Sequence, residues 1–290
     1  MSILLDRNTR VLVQGITGPM GRFQAEEMQR YGTCIVGGVS PGRGGTRAAG
    51  VRVFDTVDTA VAETGAEMSI LFVAAARAKD AIYEAIEAGI KTIVCVAEFM
   101  PVHDVIEIRR RVRESGVRLI GPNCSGLISP GHAKVGFYCD EVTMQGDVGV
   151  MSKSGTLSYA ILLEMKRRNV GASTVVGVGG DELKGTTFRD CVELFEADPA
   201  TRAILMIGEV GGREEEEAAS WIAKRAKKPV VAYVSGRTIP PGRSIGHAGA
   251  MIVGSKGTHF SKIEALSAAG VQIARTIEDI PLLLRSDHDS

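Results

Sequence analysis

One histidine lies among small residues late in the chain. His247 stands in the sequence Gly-Arg-Ser-Ile-Gly-His-Ala-Gly-Ala over residues 242–250, and Gly-Ser-Lys-Gly follows at 254–257. Small neighbours pack little against an imidazole, which is both a nucleophile and a proton carrier near neutral pH. We therefore predict that His247 is catalytic and that its loop can move. The other histidines are predicted to be surface residues: His103, His132, His259 and His288.

A carboxylate that could orient this imidazole follows an apolar run. Glu209 lies in the sequence Ile-Gly-Glu-Val-Gly-Gly at 207–212, directly after a predicted buried strand. Open α/β sheets bind their ligands at the carboxyl ends of the strands. A carboxylate that holds one ring nitrogen leaves the other for attack, as a phosphohistidine intermediate requires. The alternative for Glu209 is an exposed charge at a strand end.

Two glycine-rich turns near the N-terminus suit a ligand that carries phosphate. Residues 15–21, Gly-Ile-Thr-Gly-Pro-Met-Gly, follow the first predicted strand and open a helix, where backbone N–H groups and the helix dipole can meet a pyrophosphate. The spacing also fits a tight turn without a ligand. No Asp or Glu directly follows the second strand to bind ribose hydroxyls, as NAD would require. Arg43 lies there instead, on the glycine turn at 40–45, and favours a ribose phosphate, hence NADP or coenzyme A. The alternative for Arg43 is a solvated loop charge.

A third turn has the composition of an anion-binding helix start. Ser154, Gly155 and Thr156 lie between a predicted strand and a predicted helix, and offer backbone amides and hydroxyls without any metal. Simple capping of the helix by Ser154 is the alternative.

Apolar runs and amphipathic segments alternate along the chain and must position these residues. This alternation predicts an α/β protein with mostly parallel sheets. In the first part, strands are predicted over 11–14, 35–39, 68–73, 92–97 and 118–121, and helices over 23–31, 78–88 and 103–115. In the second, doubly wound part, strands are predicted over 148–151, 174–178, 203–207 and 229–234, and helices over 156–168, 187–197, 214–227 and 260–269. Glycines at 126, 131, 136 and 146, a proline at 130 and no sustained period predict a linker over 126–146, between domains over 1–125 and 147–290.

Composition excludes several classes of protein. The 290 residues carry 34 Lys and Arg against 34 Asp and Glu, and only 5% are aromatic, so neither a basic field nor many stacking platforms exist for nucleic acid. The apolar runs are shorter than the roughly 20 residues of a membrane helix, and the start lacks a signal-peptide core. The five cysteines form no zinc-ligand pattern. We expect a soluble cytoplasmic protein that holds no metal of its own.

Several motifs occur in the order and spacing of one family. The chain resembles the alpha subunit of succinyl-CoA synthetase, the succinate–CoA ligase, over nearly its entire length. The resemblance is carried by MSILLDRNTRVLVQGITG, GGVSPGRGG, IGPNCSG, SKSGTLSY, IGEVGG and GHAGAMIVGSKGT. It implies an N-terminal Rossmann-like CoA-binding domain and a C-terminal flavodoxin-like domain. It also implies an ATP-grasp beta subunit that binds ATP/ADP or GTP/GDP with Mg²⁺, in an αβ or α2β2 assembly.

The resemblance also implies a role for each matching residue. His247 matches the phosphorylated histidine and Glu209 its hydrogen-bonding carboxylate. The implied reaction converts a carboxylate, CoA and ATP or GTP to acyl-CoA, ADP or GDP and phosphate, through an acyl phosphate and phospho-His247. Tyr159 matches a substrate position shared with the beta subunit. The matching CoA residues are Thr17, Gly18, Pro19, Met20, Arg43, Val96, Ala97 and Glu98, and the matching phosphate residues are Ser154, Gly155 and Thr156.

Departures from the family pattern leave the acid open. Met20 stands where the family usually has Gln, and Arg43 where it usually has Lys. Ser125 interrupts the usual Cys-Pro-Gly, and residues 136–141 replace a stretch with a Pro-Gly-His turn. Malate, citrate or another short carboxylic acid is therefore an alternative to succinate. An NADP-dependent oxidoreductase and a non-catalytic CoA-binding protein are the alternatives from other classes.

Overall fold

The N-terminal half is built on a parallel sheet. The computed structural model describes residues 3–239, 247, 249–250 and 257–286. The elements are β1 (Val11–Gln14), α1 (Pro19–Tyr31), β2 (Ile35–Val39), β3 (Arg47–Ala48), β4 (Val51–Phe54), α2 (Val57–Thr64), β5 (Met68–Leu71), α3 (Ala75–Glu87), β6 (Thr92–Cys95), α4 (Val102–Ser115) and β7 (Arg118–Ile120). Their strand order is β3-β4-β2-β1-β5-β6-β7, and every pair except β3–β4 is parallel.

A second sheet of seven strands follows. Its elements are β8 (Gly126–Ser129), β9 (Ala133–Gly136), β10 (Gln145–Ser152), α5 (Gly155–Arg167), β11 (Ala172–Gly177), α6 (Phe188–Ala197), β12 (Ala203–Glu209), α7 (Glu214–Arg225), β13 (Val230–Ser235), α8 (His259–Ala268), β14 (Gln272–Ile273) and α9 (Asp279–Ser286). The strand order is β14-β13-β12-β10-β11-β8-β9, with β8 antiparallel to both of its neighbours. Two mostly parallel sheets with crossover helices confirm the predicted α/β class.

The strands and helices predicted for the two parts of the chain are present. The strands are continuous apolar runs, and the helices are amphipathic with a clear period. The apolar runs at 11–14 and 35–39 form β1 and β2 with the predicted bounds. Outside the predicted linker, the elements absent from the prediction are short or lie at a sheet edge: β3, β4, α2, β14 and α9. Among the described residues, none of the helices is long and apolar enough to cross a membrane.

The linker prediction over 126–146 is wrong for its first part. Residues 126–136 form the β8–β9 hairpin, which pairs with β11 and extends the second sheet. All eight strand residues are buried, but glycines, Ser129 and Lys134 interrupt the continuous apolar run that identifies the other buried strands. Its glycines permit close strand contact: a Cβ on Gly126 would lie 2.0 Å from the Val135 carbonyl oxygen. The division of the chain at 125 and 147 stays a prediction.

The two halves share a core. One cluster of buried side chains contains Val11 and Ile70 from the first sheet and Met151 and Val176 from the second. The hairpin also contacts the first half, because the Thr33 hydroxyl donates to the Lys134 carbonyl oxygen at 2.7 Å. The sheets are therefore held in a defined relation to one another.

We predict that Gly126→Ala weakens the second sheet more than a comparable change elsewhere. Gly126 has φ +86° and its Cβ would displace β9, whereas Gly89 has φ +81° and open space around it. Gly89→Ala should lower the free energy of unfolding by about 1 to 2 kcal/mol through its left-handed backbone alone. Gly126→Ala should cost about 2 to 4 kcal/mol because overpacking adds to that term. Urea unfolding of both variants measures the difference, and equal losses would contradict the close contact.

Candidate active site

The imidazole of His247 is held by a carboxylate from the second sheet. His247 Nδ1 lies 2.8 Å from Glu209 Oε2, and Glu209 is the last residue of β12. Glu209 is buried, whereas the His247 side chain is 28% exposed. The hydrogen bond to Glu209 raises the pKa of His247 above its usual value, against the opposing effect of burial. When neutral His247 donates its Nδ1 proton to Glu209, the nucleophilic lone pair lies on Nε2.

The His247 ring also contacts the loop that follows β11. A Cβ on Gly180 would be 2.4 Å from His247 Cγ, so the ring packs directly on the backbone that follows β11. β10 is the strand between β11 and β12. His247 therefore contacts residues at the ends of the two strands that flank β10, and β10 leads into the turn where α5 begins. The rest of the predicted histidine loop, at 242–246, 248 and 254–256, lies outside the described residues.

The α5 turn combines a helix cap with an exposed threonine. Ser154 Oγ accepts the backbone N–H of Leu157 at 3.3 Å, so Ser154 is the N-cap residue. Thr156 is exposed, and a Cβ on Gly155 would lie 2.5 Å from Ser125 Oγ. The departure at Ser125 therefore brings a hydroxyl against the first turn of α5. Capping accounts for the Ser154 hydroxyl, and phosphate binding by this turn stays a prediction.

The first glycine turn is built for close approach. A Cβ on Gly15 would lie 2.3 Å from the Phe72 carbonyl oxygen, and one on Gly21 would lie 2.2 Å from the Gly15 carbonyl oxygen. Gly18 is the N-cap of α1, Pro19 is its first residue, and Met20 is 53% exposed. The turn presents a helix N-terminus at the carboxyl end of β1, as anion binding requires.

The predicted arginine turn lies beside the first. The Thr17 hydroxyl donates to Ser40 Oγ at 2.9 Å, which joins the turns after β1 and β2. Arg43 is exposed between two glycines with positive φ, at 42 and 45. Asp55, at the end of β4, accepts the Gly44 N–H at 2.8 Å. Tertiary structure thus brings to this turn a carboxylate that is not adjacent to it in sequence.

Asn123 connects the two sheets between the predicted CoA site and His247. Its backbone N–H donates to the Ala97 carbonyl oxygen at 2.9 Å, and its carbonyl oxygen accepts the Gly180 N–H at 3.1 Å. Its side chain donates to Asp181 Oδ1 at 2.9 Å. Val96 is half-buried, Ala97 buried and Glu98 exposed beyond the end of β6. The carboxyl edges of the two sheets therefore meet at Asn123. The Asn123 backbone has a φ of +53°, a left-handed conformation that Asn tolerates. An Asn after Gly-Pro was therefore the sequence signal for this turn.

Tyr159 has a structural role in this chain. Its hydroxyl donates to the Phe137 carbonyl oxygen at 2.7 Å, and its ring packs edge-on against Tyr138 with centroids 5.9 Å apart. These contacts hold the segment at 136–141 that departs from the family pattern. A role of Tyr159 at the substrate stays a prediction.

The charge run at the start of α7 is partly buried, and Glu217 at its end is exposed. Glu215 is fully buried and binds Lys153 and Lys262, while Lys184 binds Glu214 at 2.8 Å. The sequence interpretation of Glu214–Glu217 as a helix-dipole complement overlooked these partners. Lys153, directly after a buried strand, was the signal that a carboxylate would be needed nearby.

Comparison with known proteins identifies the family. The CoA binding domain matches residues 6–99, and the CoA-ligase domain matches residues 151–272. Succinate–CoA ligase [ADP-forming] subunit alpha 1 of Archaeoglobus fulgidus is 51% identical over 280 residues, covering 97% of this chain and 96% of that protein. The alpha subunit of Aquifex aeolicus is 49% identical, covering 94% of this chain and 90% of that one. The chain belongs to the family of succinate–CoA ligase alpha subunits.

Solved structures agree with the family assignment. ATP citrate lyase from Methanothrix soehngenii, in complex with citrate and coenzyme A, has a TM-score of 0.88 at 25% identity, and covers 99% of this chain. The chain spans 50% of that longer protein. Dinucleotide-forming acetyl-coenzyme A synthetase 1 of Ca. Korarchaeum cryptofilum has the same fold, with a TM-score of 0.73 at 22% identity. The two domain matches and the named relatives establish an acid–CoA ligase of the ADP-forming type with coenzyme A as substrate, so coenzyme A rather than NADP is the ligand of the N-terminal domain.

We predict that Glu209→Gln moves the titration of His247 to lower pH. The carboxylate favours the imidazolium, so removing its charge lowers the pKa that it raises. Asp181→Asn should produce a smaller shift, because Asp181 acts on His247 only through a weaker Coulomb interaction. NMR titration of the histidine ring measures both changes. An unchanged midpoint in Glu209→Gln would contradict the hydrogen bond as the cause.

Proposed function

We propose that this chain is the alpha subunit of a succinate–CoA ligase and carries the phosphoryl group on His247. The proposal rests on one observation: His247 Nδ1 lies 2.8 Å from Glu209 at the end of β12, the strand beside the one that leads into α5. A carboxylate that holds the Nδ1 proton directs the nucleophilic lone pair to Nε2. The helix N-terminus provides a favourable electrostatic environment for the phosphate that Nε2 would carry.

The proposed reaction has three balanced steps. His247 Nε2 attacks the terminal phosphorus of the nucleoside triphosphate, which forms the N–P bond and releases the diphosphate. A carboxylate oxygen of the acid then attacks that phosphorus, which breaks the N–P bond and forms an acyl phosphate. The CoA thiolate attacks the acyl carbon and releases inorganic phosphate. Glu209 holds the Nδ1 proton throughout and stabilises the positive charge that the ring develops in each transfer.

In this proposal CoA lies along the carboxyl edge of the first sheet. Thr17, Gly18, Pro19 and Met20 bind its phosphates, Arg43 binds the charge at the ribose, and Val96, Ala97 and Glu98 contact the part that leads to the thiol. The hydrogen bonds that Asn123 donates to Ala97 and accepts from Gly180 support this direction, because Gly180 contacts the His247 ring. The thiol end then meets the acyl phosphate beside the phosphoryl site.

The nucleotide belongs, in this proposal, to a partner. Relatives at 45 to 51% identity are named as alpha subunits, which supports an ATP-grasp beta subunit that binds ATP/ADP or GTP/GDP with Mg²⁺ in an αβ or α2β2 assembly. Thr156 and Tyr159 would lie at the side that the partner completes. The five cysteines, all unpaired with one another, support a cytoplasmic location.

We predict that His247→Ala abolishes acyl-CoA formation by the coexpressed complex and leaves CoA binding intact. The substitution removes the phosphoryl acceptor but none of the residues proposed to hold CoA. His103→Ala, an exposed change on α4, is the matched control and should retain full turnover. Acyl-CoA formation, ³²P transfer to the alpha chain and CoA titration are the measurements. Turnover by His247→Ala would exclude the phosphohistidine intermediate.

We predict that succinate is the preferred acid, as the names of the relatives suggest. The competing acids are malate and citrate, because Ser125 brings a hydroxyl to the α5 turn and residues 136–141 are altered. kcat/KM for succinate, malate and citrate in the coexpressed complex decides between them. A higher value for a hydroxy acid, lowered selectively by Ser125→Ala, would replace succinate as the substrate.

A further inference from the structure

A second carboxylate supports Glu209 from beneath. Glu215 Oε1 accepts the backbone N–H of Glu209 at 3.1 Å, and the Glu215 side chain is fully buried. A Cβ on Gly208 would lie 2.7 Å from the same Oε1, so only glycine at 208 lets the carboxylate reach the strand end. The residue that orients His247 is thereby held by a residue six positions later.

Two buried ammonium groups keep Glu215 ionised. Lys153 Nζ lies 3.0 Å from Glu215 Oε1, and Lys262 Nζ contacts Glu215 Oε2. Burial alone would raise the pKa of Glu215, but Lys153 and Lys262 outweigh it and lower that pKa to about 2. The Coulomb interaction with Glu209 also raises the pKa of Lys153, after the larger effects of Glu215 and Glu214. Charge on Glu215 and charge on Glu209 are therefore coupled.

The same cluster fixes the chain on the far side of His247. Lys262 donates to the Gly212 carbonyl oxygen at 3.3 Å, and Ser261 Oγ donates to Glu216 Oε1 at 3.1 Å. The Gly211 N–H donates to the Gly257 carbonyl oxygen at 2.8 Å. One buried carboxylate thus joins the end of β12, which carries Glu209, to the start of α8, which follows the His247 segment.

We propose that Glu215 is a positioning residue for phosphoryl transfer, which holds the Glu209 carboxylate at the His247 imidazole and balances the charge beneath it. This inference rests on the proposed phosphohistidine mechanism. Buried ion pairs contribute little net stability compared with apolar packing of the same volume. The presence of this cluster beside a reactive histidine is better explained by the fixed position that it gives to Glu209 than by a gain in stability.

Charged side chains of both signs act on the His247 ring. Glu209 and Asp181 favour its protonated form, and Lys184 opposes it. Replacing Glu215 by Gln keeps an oxygen for the Glu209 N–H but leaves Lys153 and Lys262 with one carboxylate fewer. The uncompensated positive charge of Lys153 and Lys262 then attracts the Glu209 carboxylate and disfavours the imidazolium form of His247. The His247 pKa should fall, and Glu209 should hold the ring less firmly.

We expect Glu215→Gln in the coexpressed complex to transfer ³²P to His247 about tenfold more slowly, the lower end of what loss of an outer supporting contact costs at an ordered site. The pH midpoint of His247, from NMR titration, should move to lower pH, while the CoA Kd stays unchanged. Glu217→Gln removes the same charge from an exposed position on the same helix and is the matched control. Its rate of ³²P transfer and its His247 midpoint should equal those of the parent chain.

The charge-balanced variant Glu215→Gln with Lys262→Met keeps the test decisive if the single variant fails to fold. Removing one ammonium with one carboxylate should return the His247 midpoint toward the parent value. A folded Glu215→Gln with the parent rate and midpoint, or a loss of thermal stability alone, would overturn the inference. Absence of ³²P on His247 in the parent complex would instead refute the proposed function, and the NMR titration would still test the charge coupling.

Discussion

The site depends on the carboxyl edges of two mostly parallel sheets meeting at one place. Side chains at the carboxyl ends of parallel strands are brought to one edge by the topology, and here two such edges meet through the backbone of Asn123. His247 spans the ends of β11 and β12, and the predicted CoA residues follow β1, β2 and β6. In the proposed mechanism neither half supplies the arrangement alone, since Glu209, which holds His247, ends a strand of the second sheet and the predicted CoA residues follow strands of the first.

Close backbone contact makes this meeting of the edges feasible. Gly179 and Gly185 lie against carbonyl oxygens of Pro122 and Leu119, at distances from an added Cβ of 2.2 and 2.3 Å. Gly180 lies against the His247 ring in the same loop. Glycine therefore serves two purposes in this chain: it allows tight packing within the first turn, as at Gly15 and Gly21, and it lets backbone approach backbone between the halves.

Electrostatics at the site are local rather than global. The chain has no net charge, and the turns predicted to bind phosphate offer helix N-termini and backbone amides. Buried charge is concentrated behind Glu209, where Lys153, Lys184 and Lys262 are each matched by a carboxylate of α7. Such matching allows ionised groups in the interior, because each desolvated charge has its partner at hydrogen-bonding distance.

Motifs in the sequence were sufficient for the fold class and for the family, because strand and helix patterns and short glycine turns are local properties. The pairing of His247 with Glu209 was implied by the family resemblance. The β8–β9 hairpin was not recognisable, since glycines, Ser129 and Lys134 interrupt the apolar run that identified the other buried strands. Asp55 at the Arg43 turn, Asn123 between the sheets and Glu215 beneath Glu209 were decided by tertiary structure. Each makes its contact with a residue placed beside it by sheet order or by helix packing, which no local pattern encodes.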